Sequence, residues 1–276
     1  EDDHEYEKYY AEIEKFAGRN KIPIKITNSV RSQEDTKFIR RLKPALILVM
    51  GWRTLISQEI LDIPKMGSVA VHESLLPKYR GFSPIDWAII NGEEVVGVTL
   101  FYMAEGMDAG DIVGQELISI GPNDTAYEVY QKTKKVSIDL TLQHVKSLMK
   151  GGARRIPQNE HDASFTCPRI PDDGMIDWNQ KARDIHNLIR ALSFPYPGAF
   201  TKYLGERLFI QRSLLIPSPR NFVGSIPGRI ISRGNGWVEV LAGDRGILRI
   251  EKVQKDGGEI VDASSIIKSI RTTLGR

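Results

Sequence analysis

The sequence predicts an α/β protein: a doubly wound, mostly parallel sheet, followed by a small antiparallel β-barrel of OB-like size. Three observations carry this. Residues 45–50 are a continuous apolar run without alternation, the pattern of a parallel strand covered on both faces, and residues 68–72 read as a second such strand. Helix-period segments separate such runs, so strand and helix alternate. Beyond about residue 200 the segments shorten and turn signals crowd together, as in a small barrel. The expected division is residues 1–165 and residues 166–276.

The elements follow in order. Residues 5–18 place Tyr9, Ile13 and Phe16 on one helical face. Residues 22–26, Ile-Pro-Ile-Lys-Ile, read as a strand. Ser32-Gln-Glu-Asp35 has capping-box spacing and opens a helix through Leu42. Residues 45–50 and 68–72 supply two buried strands, residues 84–90 a short helix, and residues 95–102 and 111–118 two further strands. Asn123 or Asp124 caps a long helix to about Lys150. Residues 151–175, rich in Gly, Pro and Asp, form a connector, and a helix follows over 182–193. Short strands are expected at 207–212, 228–232, 237–241 and 246–251. Gly234-Asn-Gly236 and Gly243-Asp-Arg-Gly246 supply turns between them.

Composition is that of an ordinary globular chain, 41% hydrophobic and 26% charged over 276 residues. No apolar run approaches a membrane span of ~20 residues. The acidic opening, Glu1-Asp-Asp-His-Glu, is unlike a signal peptide. One cysteine, Cys167, excludes an internal disulfide and a multi-cysteine metal site. Together these place the expected location in the cytoplasm, with no membrane partner and no metal. The net charge of +3 is uneven: residues 1–165 hold 21 basic and 24 acidic side chains, residues 166–276 hold 17 and 11. The basic C-terminal part fits RNA, a phosphorylated ligand, or simply a normally charged surface.

Ligands of parallel sheets bind beyond the carboxyl ends of the strands. His72 and Gly51-Trp-Arg53 both fall there. A neutral imidazole accepts a proton near pH 7, and a carboxylate fixes its tautomer and raises its basicity. Asp108, in the Gly-flanked segment Gly106-Met-Asp-Ala-Gly110, is the candidate carboxylate. Read without further context, His72 is equally a structural histidine and Asp108 a turn residue. In Ser74-Leu-Leu-Pro-Lys-Tyr-Arg-Gly81, Pro77 and Gly81 shape the backbone, and Lys78 and Arg80 are either ligand cations or a solvated face.

His72-Glu-Ser-Leu-Leu-Pro-Lys-Tyr-Arg-Gly81, Gly97-Val-Thr-Leu and Gly106-Met-Asp-Ala-Gly-Asp-Ile112 together resemble the folate-dependent formyltransferase family, with its Rossmann-like catalytic domain. Order and spacing agree over roughly residues 20–200. Residues 176–178 and 185–200 resemble the start of that family's C-terminal module. Phe82-Ser-Pro-Ile-Asp-Trp87, the Gly51-Trp-Arg53 loop and Pro197-Gly-Ala-Phe200 are similar to the branch that formylates amino sugars on UDP or dTDP carriers. Methionyl-tRNA formyltransferase is the more distant likeness. The resemblance implies N10-formyltetrahydrofolate as donor and a nucleotide-diphosphate amino sugar as acceptor. It implies that His72 assists proton removal and that Asp108 orients and charge-balances it. Met50, Gly51, Trp52, Asp108, Ala109, Gly110 and Asp111 would hold the folate. Ser74, Lys78, Tyr79, Arg80 and Gly81 would hold the acceptor. A homodimer is expected, and nucleic acid is not expected as a partner.

Two positions depart from the family pattern. The family's asparagine, two residues before the histidine, is Ala70, which has no side-chain donor; losing one such donor typically costs ~10²–10³ in kcat. Phe101 stands where relatives often have histidine. Ala70 fits a variant made to trap substrates, a divergent enzyme, or a binding protein that kept the fold. The resemblance also implies a glycine-rich strand–helix–strand unit ahead of residue 1.

Overall fold

The computed structural model describes residues 9–217 and 220–276. The chain runs α1 (Tyr10–Arg19), α2 (Gln33–Leu42), β1 (Ile47–Val49), α3 (Gln58–Leu61), β2 (Ser68–His72), β3 (Arg80–Gly81), α4 (Pro84–Ile90), β4 (Val95–Tyr102), β5 (Ile112–Ser119) and α5 (Ala126–Met149). It continues through β6 (Phe165–Thr166), α6 (Ala182–Leu192), β7 (Ala199–Tyr203), β8 (Glu206–Ile216), β9 (Ile230–Arg233), β10 (Val238–Leu241), β11 (Ile247–Lys255), β12 (Ile260–Asp262) and α7 (Ala263–Ile266).

The first sheet has the order β1-β2-β4-β5. β1 and β2 are parallel, Val49 opposite Ala70. β4 and β5 add antiparallel, with Ala70 opposite Phe101 and His72 opposite Thr99. The α/β class is as expected, and the sheet is mixed in its finer order. A connection of only nine residues joins β4 to β5, and a link that short favours an antiparallel return.

The second sheet is antiparallel, β7-β8-β11-β10-β9 with β12 also on β11. No ladder joins β7 to β9 among the described residues, so the expected barrel is open in its hydrogen bonding. β7 and β12 add to the four strands read from sequence.

Local chemistry explains most boundaries. Ser32 and Asp35 form the reciprocal cap of α2. The long helix α5 starts on Thr125, capped reciprocally with Glu128. Asp124, one of the two expected caps, instead accepts the Gly121 N–H at 2.8 Å. α1 begins at Tyr10; the part of the expected helix before residue 9 lies outside the described residues.

Two expectations at the start of the sheet are corrected. Residues 22–26 join no ladder, and β1 is an edge strand with Leu48 42% exposed rather than a covered central one. A strand is stabilised by partners on both edges, and none of the described residues supplies the second partner.

The apolar core is continuous across both sheets. Val69, Leu100, Val113 and Leu140 belong to the same buried cluster as Ile185, Ile189, Leu208 and Ile250. Helix α6 joins the two parts. Its amphipathic face is buried, and His186 and Arg190 reach the carbonyls of residues 121–124.

Candidate active site

β2 delivers Ala70 and His72 to one face of the sheet, because side chains two apart on a strand share a face. His72 lies at the carboxyl end of the strand, half-buried. Its Nε2 is 2.8 Å from the Tyr79 carbonyl. A carbonyl only accepts, so Nε2 carries the hydrogen and the Nδ1 lone pair is left free. Nδ1 lies 3.7 Å from Asp108 Oδ2. The neutral tautomer is therefore set by Tyr79 O rather than by Asp108. The carboxylate stands where it would balance charge once Nδ1 gains a proton.

The loop after β2 is built to hold that carbonyl in place. Ser74 Oγ donates to Lys78 O at 2.6 Å, and Thr99 Oγ1 donates to Ser74 O at 2.6 Å. Tyr79 takes a left-handed φ of 58°. Its N–H donates to Ser164 Oγ at 2.9 Å. The β3–β6 pair clips residues 80–81 to the connector.

Asp108 is also left-handed, φ 49°, a conformation that short polar side chains tolerate best. Its Oδ2 accepts the Gly81 N–H at 2.8 Å. Gln158 Nε2 donates to the carbonyls of Asp108 and Gly110, both at 2.7 Å. The Asp111 carboxylate is 3.7 Å from Arg155, whose guanidinium stacks over Tyr102.

The structure places the other expected residues as follows. Met50, Gly51 and Trp52 follow β1 at the same end of the sheet as His72, with Met50 and Trp52 exposed. Ser74 is buried and bonded within its own loop. Lys78 is exposed. Arg80 is the clear departure from a ligand cation: it is 2% exposed, and its donors are taken by Gln158 Oε1 and both oxygens of Glu160. That pairing holds the Glu160 carboxyl below the usual range. Ala70 is buried against Leu76, Phe101 and Ile112, with Val49 and Met103 alongside.

A groove of about 470 Å³ adjoins His72 through Tyr79. Lys78, Trp87, Asn91, Phe165 and Cys167 line it. The Tyr79 hydroxyl donates to Glu93 and accepts from Asn91, and Arg169 stacks over Trp87. Among the described residues no group of three His, Cys, Asp or Glu side chains is placed to hold a metal.

Sequence reading missed Gln158, Glu73 and Asp86. Burial pushes the Glu73 carboxyl up, with the charge of His72 acting in the opposite sense. Burial likewise lifts Asp86 to about 7; Arg169 lowers it and the nearby Glu73 raises it. The folded carboxyl therefore binds its proton far more tightly than an unfolded one, whose ordinary value is 3.8. Stability from this group is fully present below about pH 4 and falls as pH rises towards about 7. Asp86→Asn should therefore match the parent near pH 4. At pH 8 it should exceed it by a few kcal/mol, since each unit is worth ~1.4 kcal/mol. Urea unfolding at the two pH values checks this, and a variant less stable than the parent at pH 8 refutes it.

The sequence matches the family model described as formyl transferase over residues 10–145, and the formyl transferase C-terminal domain over residues 170–271. It is 38% identical over 213 residues to the bifunctional polymyxin resistance protein ArnA of Wigglesworthia glossinidia brevipalpis, covering 77% of this chain and 33% of that protein. It is 37% identical over 245 residues to the methionyl-tRNA formyltransferase of Acetivibrio thermocellus, covering 88% of this chain and 77% of that protein. The chain thus spans about a third of the first relative and about three quarters of the second. Among solved structures, the N-formyltransferase of Helicobacter canadensis with folinic acid and dTDP-3-aminofucose superposes with a TM-score of 0.63. It is 22% identical, with 86% of this chain and 81% of that chain covered, so it supports the fold alone. No described helix is long and apolar enough to cross a membrane.

Proposed function

The chain belongs to the formyl transferase family, and from that premise we propose that it moves a formyl group from N10-formyltetrahydrofolate to the amine of a UDP- or dTDP-linked 4-amino sugar. The observation that carries the acceptor is the groove beside Tyr79. Its volume of about 470 Å³ lies within the ~300–1,000 Å³ of small-molecule sites. Trp87 and Phe165 offer flat faces to a base, and Lys78 offers a cation to the diphosphate.

His72 Nδ1 takes the proton that the amine sheds as it forms the new C–N bond, and Asp108 balances the resulting imidazolium. The formyl C–N10 bond of the folate breaks as the new C–N bond forms, and the proton collected by His72 is the one returned to N10, so the protons balance. The residues fit such a donor. Met50 and Trp52 present exposed apolar surface beside β2. The Asp108 and Gly110 carbonyls each keep a second lone pair beyond Gln158. Gly51, Ala109 and Asp111 are included in the proposed donor site on the family resemblance. Ser74, Tyr79 and Gly81 shape the acceptor loop through backbone geometry, and Arg80 acts on it from beneath. A homodimer and a cytoplasmic location complete the proposal.

One observation favours a second reading, a nucleotide-sugar or folate binder without chemistry. Ala70 and Phe101, the two departures from the family pattern, are direct cross-strand partners and share one apolar patch beside His72. A single experiment separates the readings. The parent and Ala70→Asn are incubated with N10-formyltetrahydrofolate and each of UDP-4-amino-arabinose, a dTDP-amino sugar and initiator methionyl-tRNA. Products are followed by mass spectrometry. Formylation of a nucleotide sugar, raised ~10²-fold in Ala70→Asn, is the expected result. Formylation of the tRNA alone moves the chain to the other branch. No product from either protein, with ligand binding intact, makes it a binder.

A further inference from the structure

We propose that Gln158 is a positioning residue, whose carboxamide is oriented by the buried Arg80, itself paired with Glu160, so that it holds the Asp108 loop against His72. The argument starts from what each group is able to donate. A guanidinium has five N–H donors and no acceptor. Arg80 Nε and Nη2 both point at Gln158 Oε1, at 3.0 and 2.7 Å. This fixes which end of the amide is oxygen, because a reversed amide would set its NH₂ against the cation. The NH₂ must then face the other way, where both of its hydrogens meet carbonyls: Asp108 O and Gly110 O, each at 2.7 Å. Arg80 itself is held by both Glu160 oxygens, at 2.9 and 2.7 Å, in a fork-to-fork geometry that fixes a direction as well as a distance.

The need for this clamp is local. Asp108 is left-handed, and such residues persist only where their surroundings over-determine them. Its carboxylate is held on one side by Gly81 N–H, and its main chain on the other by Gln158. Release of the second hold lets the carboxylate leave the 3.7 Å position facing His72 Nδ1. The charged groups shown facing His72 are Asp108, from the loop after β4, and Glu73, next in sequence. Only the first is touched by Gln158. A weaker Asp108 partnership destabilises the imidazolium, so the histidine should titrate at lower pH.

The test uses the full chain and reads His72 by NMR titration alongside formyl-transfer kinetics. Gln158→Leu is the sharpest variant: it keeps much of the side-chain volume, adds no charge, and removes both hydrogen bonds to the loop carbonyls. Gln158→Ala removes both ends. Each should move the His72 midpoint in the same direction as Asp108→Asn and reduce kcat ~10–100-fold with little change in acceptor KM. Asp108→Asn is the positive control for the shift. Glu160→Asp, at a mostly exposed carboxylate, keeps the charge but draws it back from the Arg80 fork without threatening the fold. It should move His72 the same way by less, and it decides the matter should the Gln158 variants fail to fold. A His72 midpoint unmoved in these variants, while Asp108→Asn shifts it, overturns the proposal and leaves Gln158 a purely structural residue. The proposal rests on the formyltransferase reading only for its kinetic arm. A parent without turnover but with the expected titration shifts refutes that reading and retains the clamp.

Discussion

Gly110→Ala is expected to lose about 10²-fold or more in formyl transfer and several kcal/mol in stability together. A Cβ built on Gly110 would lie 1.7 Å from the Tyr102 carbonyl oxygen and 2.8 Å from its carbon. Both are main-chain atoms, so no side chain can turn away. The two backbones are tied at this point, since Tyr102 N–H donates to Asp111 O at 2.8 Å and Met103 N–H to Ser68 O at 2.8 Å. The loop must therefore move by more than an ångström. Such a shift breaks the two Gln158 hydrogen bonds and carries Asp108 away from Gly81 and His72. Overpacking costs ~1–3 kcal/mol and each lost hydrogen bond ~1 kcal/mol. A misplacement of ~1 Å at a reacting group costs ~10² in rate. Urea unfolding and kcat/KM on the same preparation measure both. A variant of parental stability and activity would mean that the loop has another seat, and that its present path is not required.

The site was legible in proportion to how local its causes are. His72 follows from a strand end and Asp108 from a glycine-flanked loop, both readable within a few residues, and the structure sets them 3.7 Å apart. Ser32 and Asp35 cap each other three positions apart and were equally plain. Arg80 was not. A cation beside Tyr and Gly in a loop reads as a ligand group, and nothing nearby shows that it is buried. Its partners, Gln158 and Glu160, lie 78 and 80 positions away, beyond any periodic signal. Gln158 sits in a connector whose Gly and Pro content hides it. The raised carboxyls of Glu73 and Asp86 share that cause: burial by packing, which short windows do not carry. β1 shows the converse, since a run of apolar residues reports burial while its edge position depends on which neighbours the sheet has.

Arg190→Met should cost about 3–5 kcal/mol, the second large effect, because it strikes the junction between the two sheets. The guanidinium is buried on α6. It donates to Asn187 Oδ1 at 3.0 Å, to Gly121 O at 3.2 Å and to Asp124 O at 2.9 Å. Burial lowers the Arg190 pKa, and the negative charge of Asp124 opposes that. Methionine fills much of the same volume but supplies no donor. The two carbonyls and the Asn187 oxygen lose their donor inside the protein, and removing one member of a buried charged network is costly for that reason. Next to it, His186 links Pro122 O to Ser213 Oγ on β8, so the same turn of helix grips both halves. Arg190→Lys, which keeps the charge but not the fork, should recover only part of the loss. Because one apolar cluster runs through both sheets, the parent should unfold in a single transition. Arg190→Met should shift that transition, and only a junction held chiefly by this side chain would split it in two. Guanidinium unfolding followed by the fluorescence of single-tryptophan backgrounds that retain only Trp87, in the first half, or only Trp237, in the second, distinguishes these outcomes. A loss below about 1 kcal/mol would show that the carbonyls find other donors.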